Sequence, residues 1–387
     1  MAISDTVINE GMRVLLPLFL MMGLAQAYAS DLLICSAKPG GGSEKPAESR
    51  AEDRKTPTDC SMIRFGMDSQ AVAWERNCNP PLTASISATD DYWVLNGESD
   101  RGDWMAIRWI NKETGKRAGS YTIQGFLPSR SLIAPGGQLR QPRNLANFGN
   151  GKILLCRART SSNSTVPESA SGQILFQAFS SKKILSRTPF PGAAGIQQKF
   201  SVAQGFEKPG FLLLPKAGAS WKLFSCELED DGTPKFQPIL PERNDIQDAA
   251  AIEGEKYLVI CGQELLTVDK NGALQSREVL SHPGMNHFSA EFVAISKEGD
   301  PVLRLAQIPV TGKCVTILKS KSGSELLDDR LPVTSPISWR DGELALIDVK
   351  NREAILVNKK GRKTAKLPAG TMIPFSVEIF PTNPPQP

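Results

Sequence analysis

The only two histidines in the 387-residue chain stand close together, in His282-Pro-Gly-Met-Asn-His287. Imidazole is the usual neutral-pH base and a usual zinc ligand, so this pair is the first candidate for a catalytic or metal site. Either role needs more groups, and the nearby sequence supplies Asn286, Glu291 and the stretch from Glu242 to Asp245. A second cluster is cationic. Residues 129–143 read SRSLIAPGGQLRQPR and carry Arg130, Arg140 and Arg143, while Arg243 stands in a separate loop. Guanidinium forks pair bidentately with carboxylate, phosphate or sulfate, so these four define a candidate site for an anionic ligand. No serine sits in a nucleophile-elbow pattern, and there is no glycine-rich phosphate loop and no Cys-x-x-Cys. Asp90-Asp91 and Asp328-Asp329 fall in turn-like sequence and read as solvated. The sequence names no cofactor and no reaction.

Seven cysteines are too sparse for a disulfide-built fold and compatible with an oxidising compartment. Cys60 and Cys78 flank two strand-like runs, Met62 to Phe65 and Ala71 to Glu75, that turn at Gly66 to Ser69. This hairpin sets the two cysteines opposite each other and predicts a disulfide, worth about 3 kcal/mol for a loop of this size. Cys156, Cys226, Cys261 and Cys314 end apolar runs and read as buried free thiols. Cys35 follows Ile34, where a lipid-anchor pattern requires a small residue.

The elements that must position these residues are short strands. Apolar-Pro steps recur at Pro80-Pro81, Leu127-Pro128, Phe190-Pro191, Leu240-Pro241, Leu280 ahead of Pro283, Leu331-Pro332 and Leu367-Pro368. From Pro128 to Pro368 the mean spacing is about 48 residues, within the range of propeller repeats. Between two such steps lie Asp248 to Ile252, Lys256 to Cys261, Glu264 to Asp269 and Ala273 to Leu280, joined at Glu253-Gly254, Gly262-Gln263 and Lys270-Asn271-Gly272. This predicts four strands per repeat. The third turn recurs with glycine as Gly115, Gly232, Gly323 and Gly361, because a tight hairpin needs a positive φ there.

The period and strand pattern resemble secreted bacterial β-propellers over roughly Ser61 to Phe380, at superfamily level only. No Trp-Asp signature is present, and Gly218-Ala-Ser-Trp221 matches only the tail of a sialidase Asp box. The resemblance implies an all-β propeller of four-stranded blades. Seven blades are favoured, with Ser61 to Arg76 and Met372 to Ile379 sharing the last; six blades or a β-sandwich pair are the alternatives. It also implies that the loops between blades gather on one face with the loops between second and third strands, which is where both clusters fall. The third turns on the opposite face carry Lys112, Lys116, Lys182, Lys183, Lys319, Lys321, Lys359, Lys360, Arg362 and Lys363, a surface suited to an anionic polysaccharide.

Residues 1–29 read as a signal peptide. Arg13 precedes an apolar run from Val14 to Ala25 that is too short to span a bilayer, and Ala25-Gln26-Ala27 or Ala27-Tyr28-Ala29 offers the cleavage pattern. Met12 is a plausible true start, since it removes Asp5 and Glu10 from ahead of the export core. Residues 30–59, dominated from Ser36 to Asp59 by Pro, Gly, Ser and charge, read as a disordered linker; 60–381 form the propeller and 382–387 a tail. A net charge of +4 argues against nucleic-acid binding, and no later stretch is long and apolar enough for a membrane helix. The expectation is a secreted or periplasmic binding or scaffold module. Its partner would be an anionic small molecule, a cell-surface polysaccharide or an envelope protein. The alternative is a propeller hydrolase or lyase acting on a carbohydrate or small anion, metal-assisted through His282 and His287.

Overall fold

The computed structural model describes residues 30–37, 60–77, 86–88, 92–98, 104–124, 145–148, 152–158, 174–180, 183–189, 199–205, 210–214, 221–243, 245–252, 255–308, 314–332 and 335–380. All regular structure in them is β, and none is a helix able to cross a membrane. The strands run β1 Asp31–Ala37, β2 Cys60–Gly66, β3 Val72–Asn77; β4 Ile86–Ala88, β5 Tyr92–Glu98, β6 Trp104–Asn111, β7 Arg117–Gln124; β8 Leu145–Asn147, β9 Lys152–Ala158, β10 Ile174–Ser180, β11 Lys183–Pro189. They continue as β12 Lys199–Gly205, β13 Gly210–Leu214, β14 Trp221–Leu228, β15 Pro234–Arg243; β16 Ile246–Ile252, β17 Lys256–Cys261, β18 Glu264–Asp269, β19 Leu274–Val279; β20 Phe288–Ile295, β21 Pro301–Gln307, β22 Cys314–Ser320, β23 Gly323–Asp328. The last are β24 Ile337–Arg340, β25 Glu343–Asp348, β26 Glu353–Asn358, β27 Gly361–Lys366 and β28 Ile373–Ile379.

From β4 onward every four consecutive strands pair as an antiparallel meander. Two meanders fuse into one eight-stranded sheet, where β12 and β16 pair in parallel through Gln204 opposite Ala250 and Gly205 opposite Ala251. Successive sheets touch through their first strands: β4 with β8, β16 with β20, β20 with β24, β24 with β28. The first strands are therefore innermost and the fourth outermost. Burial follows this order, since β16 is buried along most of its length and β19 is exposed at every position.

The apolar cores lie between sheets. Leu258, Ile260 and Leu265 pack on Phe288, Phe292 and Leu303 of the next sheet, and Val259, Cys261 and Leu266 on Leu223 and Ile239 of the preceding meander. Each sheet is thus apolar on both faces, which explains why the strands read as apolar runs rather than strict alternations. This is an all-β propeller.

The two chain ends share one sheet in the order β28-β1-β2-β3. The expected contributions from the two ends are present, but the boundary at residue 60 is wrong. Asp31–Ala37, assigned to the linker, is the second strand of this sheet. Leu32 and Ile34 face Ile347 and Leu356 of the preceding sheet, while Leu33 and Cys35 face Trp93 and Leu95 of the following one, and all four are completely buried. Burial of each such leucine or isoleucine is worth about 1.5–3 kcal/mol. Residues 38–59 lie outside the described residues.

Two of the third-turn glycines do more than supply a positive φ. Gly272, at φ +82°, would place a Cβ 1.9 Å from the carbonyl oxygen of Ile239 in the preceding meander. Gly115, at +64°, would place one 2.6 Å from the ring of Trp74. At these two turns the preceding strands approach closely enough to exclude any side chain, whereas Gly323 and Gly361 face open space.

Cys226, Cys261 and Cys314 are free and buried, and Cys35 is buried as well. Burial pushes the Cys261 thiol up to about 11 and that of Cys314 to about 12, so neither is a nucleophile at neutral pH. The Cys156 side chain and Cys78 lie outside the described residues, and with Cys78 goes the expected Cys60–Cys78 bond.

Candidate functional site

The histidine loop joins β19 to β20, so it links the outermost strand of one sheet to the innermost strand of the next. It begins at buried Leu280, whose N–H donates to the Gln263 carbonyl at 2.8 Å. Gly284, at φ +74°, lets the chain reverse, and the Met285 N–H then donates to the His282 carbonyl at 3.1 Å. The Met285 side chain is 4% exposed and joins the core beneath.

Two neighbouring turns clamp the outer half of the loop. Gln263 Nε2 donates to the Asn286 carbonyl at 2.8 Å, and the Ile308 N–H donates to the His287 carbonyl at 2.8 Å. Both clamps come from connections between a second and a third strand, one on each side of the junction. These contacts put the two kinds of loop on one face, as the fold implies. The arrangement recurs before β28: the Leu367 N–H donates to the Arg352 carbonyl at 2.9 Å, and Arg352 Nη2 donates to the Thr371 carbonyl at 2.6 Å.

The result is a held ledge with His282 half-buried and Asn286 and His287 exposed. His282 Nδ1 lies 3.0 Å from the Pro283 carbonyl oxygen. A carbonyl only accepts, so the ring proton is assigned to Nδ1 and the neutral ring keeps Nε2 as its acceptor.

Among the described residues no three His, Cys, Asp or Glu side chains are gathered so as to hold a metal. Two residues expected to help the histidines are engaged elsewhere. Glu291 lies 3.6 Å from Arg304 Nε, and Arg304, 6% exposed, also donates to the Ser335 carbonyl at 3.1 Å. Asp245 accepts two bonds from Arg243, at 2.7 and 2.6 Å.

That bidentate pair also bears on the cationic cluster. The Arg243 fork is filled by the carboxylate two residues along, and the guanidinium holds the Asp245 carboxyl below its ordinary range. Arg243 thereby braces the β15–β16 connection, whose Asp245 carbonyl accepts from the Gly262 N–H at 2.8 Å. Arg130, Arg140 and Arg143 lie outside the described residues.

The innermost strands carry polar groups that sequence reasoning missed. Gln247 Oε1 accepts from the Ala290 N–H and Asp248 Oδ2 from the Phe292 N–H, each at 2.7 Å. Two β16 side chains thus satisfy backbone donors of β20, the kind of group an open sheet edge leaves unpaired. The one available signal was a polar pair interrupting the apolar run Ile-Gln-Asp-Ala-Ala-Ala-Ile. At the next-but-one junction, Ser338 Oγ on β24 donates to Glu378 Oε2 on β28 at 3.1 Å. Burial pushes the Glu378 carboxyl up to about 7, against the opposing effects of Ser338 and Arg340.

The opposite face is less cationic than its lysine count implies. Lys112 is 8% exposed, with its ammonium 5.1 Å from the Trp93 ring centre. Lys319 pairs with Glu278 at 2.6 Å, Arg362 with Asp328 at 2.8 Å, and Lys363 with Asp68. Lys116, Lys183, Lys321, Lys359 and Lys360 are exposed, and Lys182 lies outside the described residues.

No protein-family model and no curated protein matches the sequence. Solved structures do match. The β-propeller domain of the Trilobed protease from Pyrococcus furiosus aligns at 12% identity and TM-score 0.48, over 79% of this chain and 86% of that one. Apo AztD from Citrobacter koseri aligns at 12% and 0.48, over 91% and 98%. A post-proline cleaving enzyme from Rickettsia typhi aligns at 12% and 0.50, over 81% of this chain and 53% of the enzyme. The likeness is one of fold alone, the β-propeller.

Proposed function

We propose that the protein is an exported, seven-bladed propeller that binds a partner through the face carrying its inter-blade loops. The observation that carries this reading is the clamped ledge from His282 to His287. Its backbone is held from both neighbouring blades, while Asn286 and His287 face solvent. A preorganised loop loses little entropy on binding, which favours recognition. Imidazole and amide donors suit an acceptor-rich anionic partner, either a polysaccharide or an acidic surface of an envelope protein. Arg130, Arg140 and Arg143 would extend the same face. The leader-like residues 1–29 support export, and the seven groups of four strands support the blade number.

Photo-crosslinking in intact cells tests the reading. A photoreactive side chain at Asn286 or His287 is expected to capture a specific partner, and one at Lys359 on the opposite face is not. Capture from Lys359 alone would overturn the assignment of the binding face.

A further inference from the structure

We infer that processing severs the Ala29–Ser30 bond and that the new α-ammonium of Ser30 completes the seam of the ring against Glu343. The inference rests on the export reading and adds to it a cleavage position and a structural use for the charge released.

Ser30 directly precedes β1 and is already held in place. Ser30 is 2% exposed, and its Oγ donates to Glu343 Oε2. The other carboxylate oxygen of Glu343 accepts from Asn358 Nδ2 at 2.9 Å. Glu343 opens β25 and Asn358 closes β26, so Ser30 reaches from the shared sheet of the two chain ends onto the preceding sheet. The next residue is fixed as well. The Asp31 carbonyl accepts from the Phe380 N–H at 2.9 Å, and its carboxylate accepts from Arg64 Nε at 2.6 Å.

Two cleavage patterns compete in the sequence, Ala25-Gln26-Ala27 and Ala27-Tyr28-Ala29. Cutting after Ala27 leaves Tyr28 and Ala29 ahead of a residue that is already buried. Cutting after Ala29 leaves none, and places small residues at the two positions that leader processing reads. Cleavage acts on the unfolded exported chain, so the later burial of Ser30 is no obstacle.

The charge argument is independent of the pattern. Both bonds to Glu343 come from neutral groups, a hydroxyl and an amide, and among the described residues no cation pairs with it. Hydrolysis by an envelope leader peptidase adds the water hydroxyl to the Ala29 carbonyl carbon and breaks the C–N bond. The Ser30 nitrogen takes up protons and becomes an ammonium at neutral pH. That nitrogen is separated from the Oγ already bonded to Glu343 only by the short span of the Ser30 side chain, so the new cation meets a half-buried carboxylate that has no cationic partner among the described residues.

The test is the N-terminal sequence and intact mass of the protein recovered from cells expressing the full-length gene. A chain beginning at Ser30 is expected. One beginning at Tyr28, or at any other processed position, overturns the inference and leaves export standing, whereas an unprocessed cytoplasmic chain overturns both. The role of the charge is read separately, by thermal midpoints of chains beginning at Ser30 or at Ala29, each with Glu343 or Glu343→Gln. The extra residue is expected to lower the midpoint by roughly 1–3 °C more in the Glu343 protein. Equal losses in both backgrounds would overturn the ammonium–carboxylate contact.

Discussion

Two junctions of the ring solve the same packing problem differently. Between β16 and β20 the chain runs on from one sheet to the next, and the seam is tuned by polar side chains: Gln247 and Asp248 satisfy the backbone of β20, above a core of Phe288, Phe292 and Leu303. At the shared sheet no connection links β28 to β1, and pairing with aromatic packing takes its place. Phe380 meets Trp93 edge-on at 5.4 Å and Trp74 at 6.5 Å, while Arg64 stacks on the same ring at 4.5 Å and holds Asp31. Where covalent continuity is missing, strand pairing and an aromatic cluster hold the two ends together; where it is present, side-chain hydrogen bonds to the facing strand supplement the apolar core.

This contrast is broken most severely by removing residues 30–37. The loss of β1 deletes the partner of both β28 and β2, so cooperative unfolding followed by denaturant is expected to disappear; a folded monomer would refute the closing role of the strand. Phe380→Ala is expected to cost about 3–5 kcal/mol in chemical denaturation, because it empties the centre of the aromatic cluster. Asp248→Ala leaves the buried Phe292 N–H without its acceptor and should cost about 1–3 kcal/mol, less than the seam variant.

Glu378 gives the comparison a pH axis. Its carboxyl is raised by burial from 4.5 to about 7, so the folded state binds the proton more tightly than the unfolded state. The stability this contributes is complete below the unfolded value and is lost as pH rises from about 4.5 through 7, by at most roughly 3 kcal/mol. Glu378→Gln should flatten the thermal midpoint across that window and raise it at pH 8. An unchanged slope would place the titrating group elsewhere. The smallest effect belongs to the ledge: His282→Ala with His287→Ala is expected to change stability by less than about 0.5 kcal/mol, since the loop is held through its backbone.

The features legible in the sequence were local ones. Gly115, Gly232, Gly272, Gly323 and Gly361 all adopt positive φ, a demand that each turn makes on its own residues. The four-strand repeat was legible for the same reason, since apolar runs and turn residues alternate within each unit. β1 was missed because Asp-Leu-Leu-Ile-Cys-Ser-Ala sits between a leader-like run and a Pro/Gly/Ser-rich stretch, and its partners lie at the far end of the chain. Asp245 could have been recognised as the Arg243 partner, two positions away, had the loop been read for internal pairs. Lys112 over Trp93 and the capping by Gln247 and Asp248 need contacts that only the folded ring creates.

The central structural claim is that the two chain ends pair in one sheet, and register offers a direct test. Cys35 lies opposite Ser376 across the β1–β28 pair, and both are buried. Facing residues of an antiparallel pair lie close enough for a disulfide. With Ser376→Cys, mild oxidation and peptide mapping are expected to find Cys35 bonded to the thiol introduced at position 376. If that thiol stays free or bonds a different cysteine while the protein remains folded, the ring is not closed by its ends.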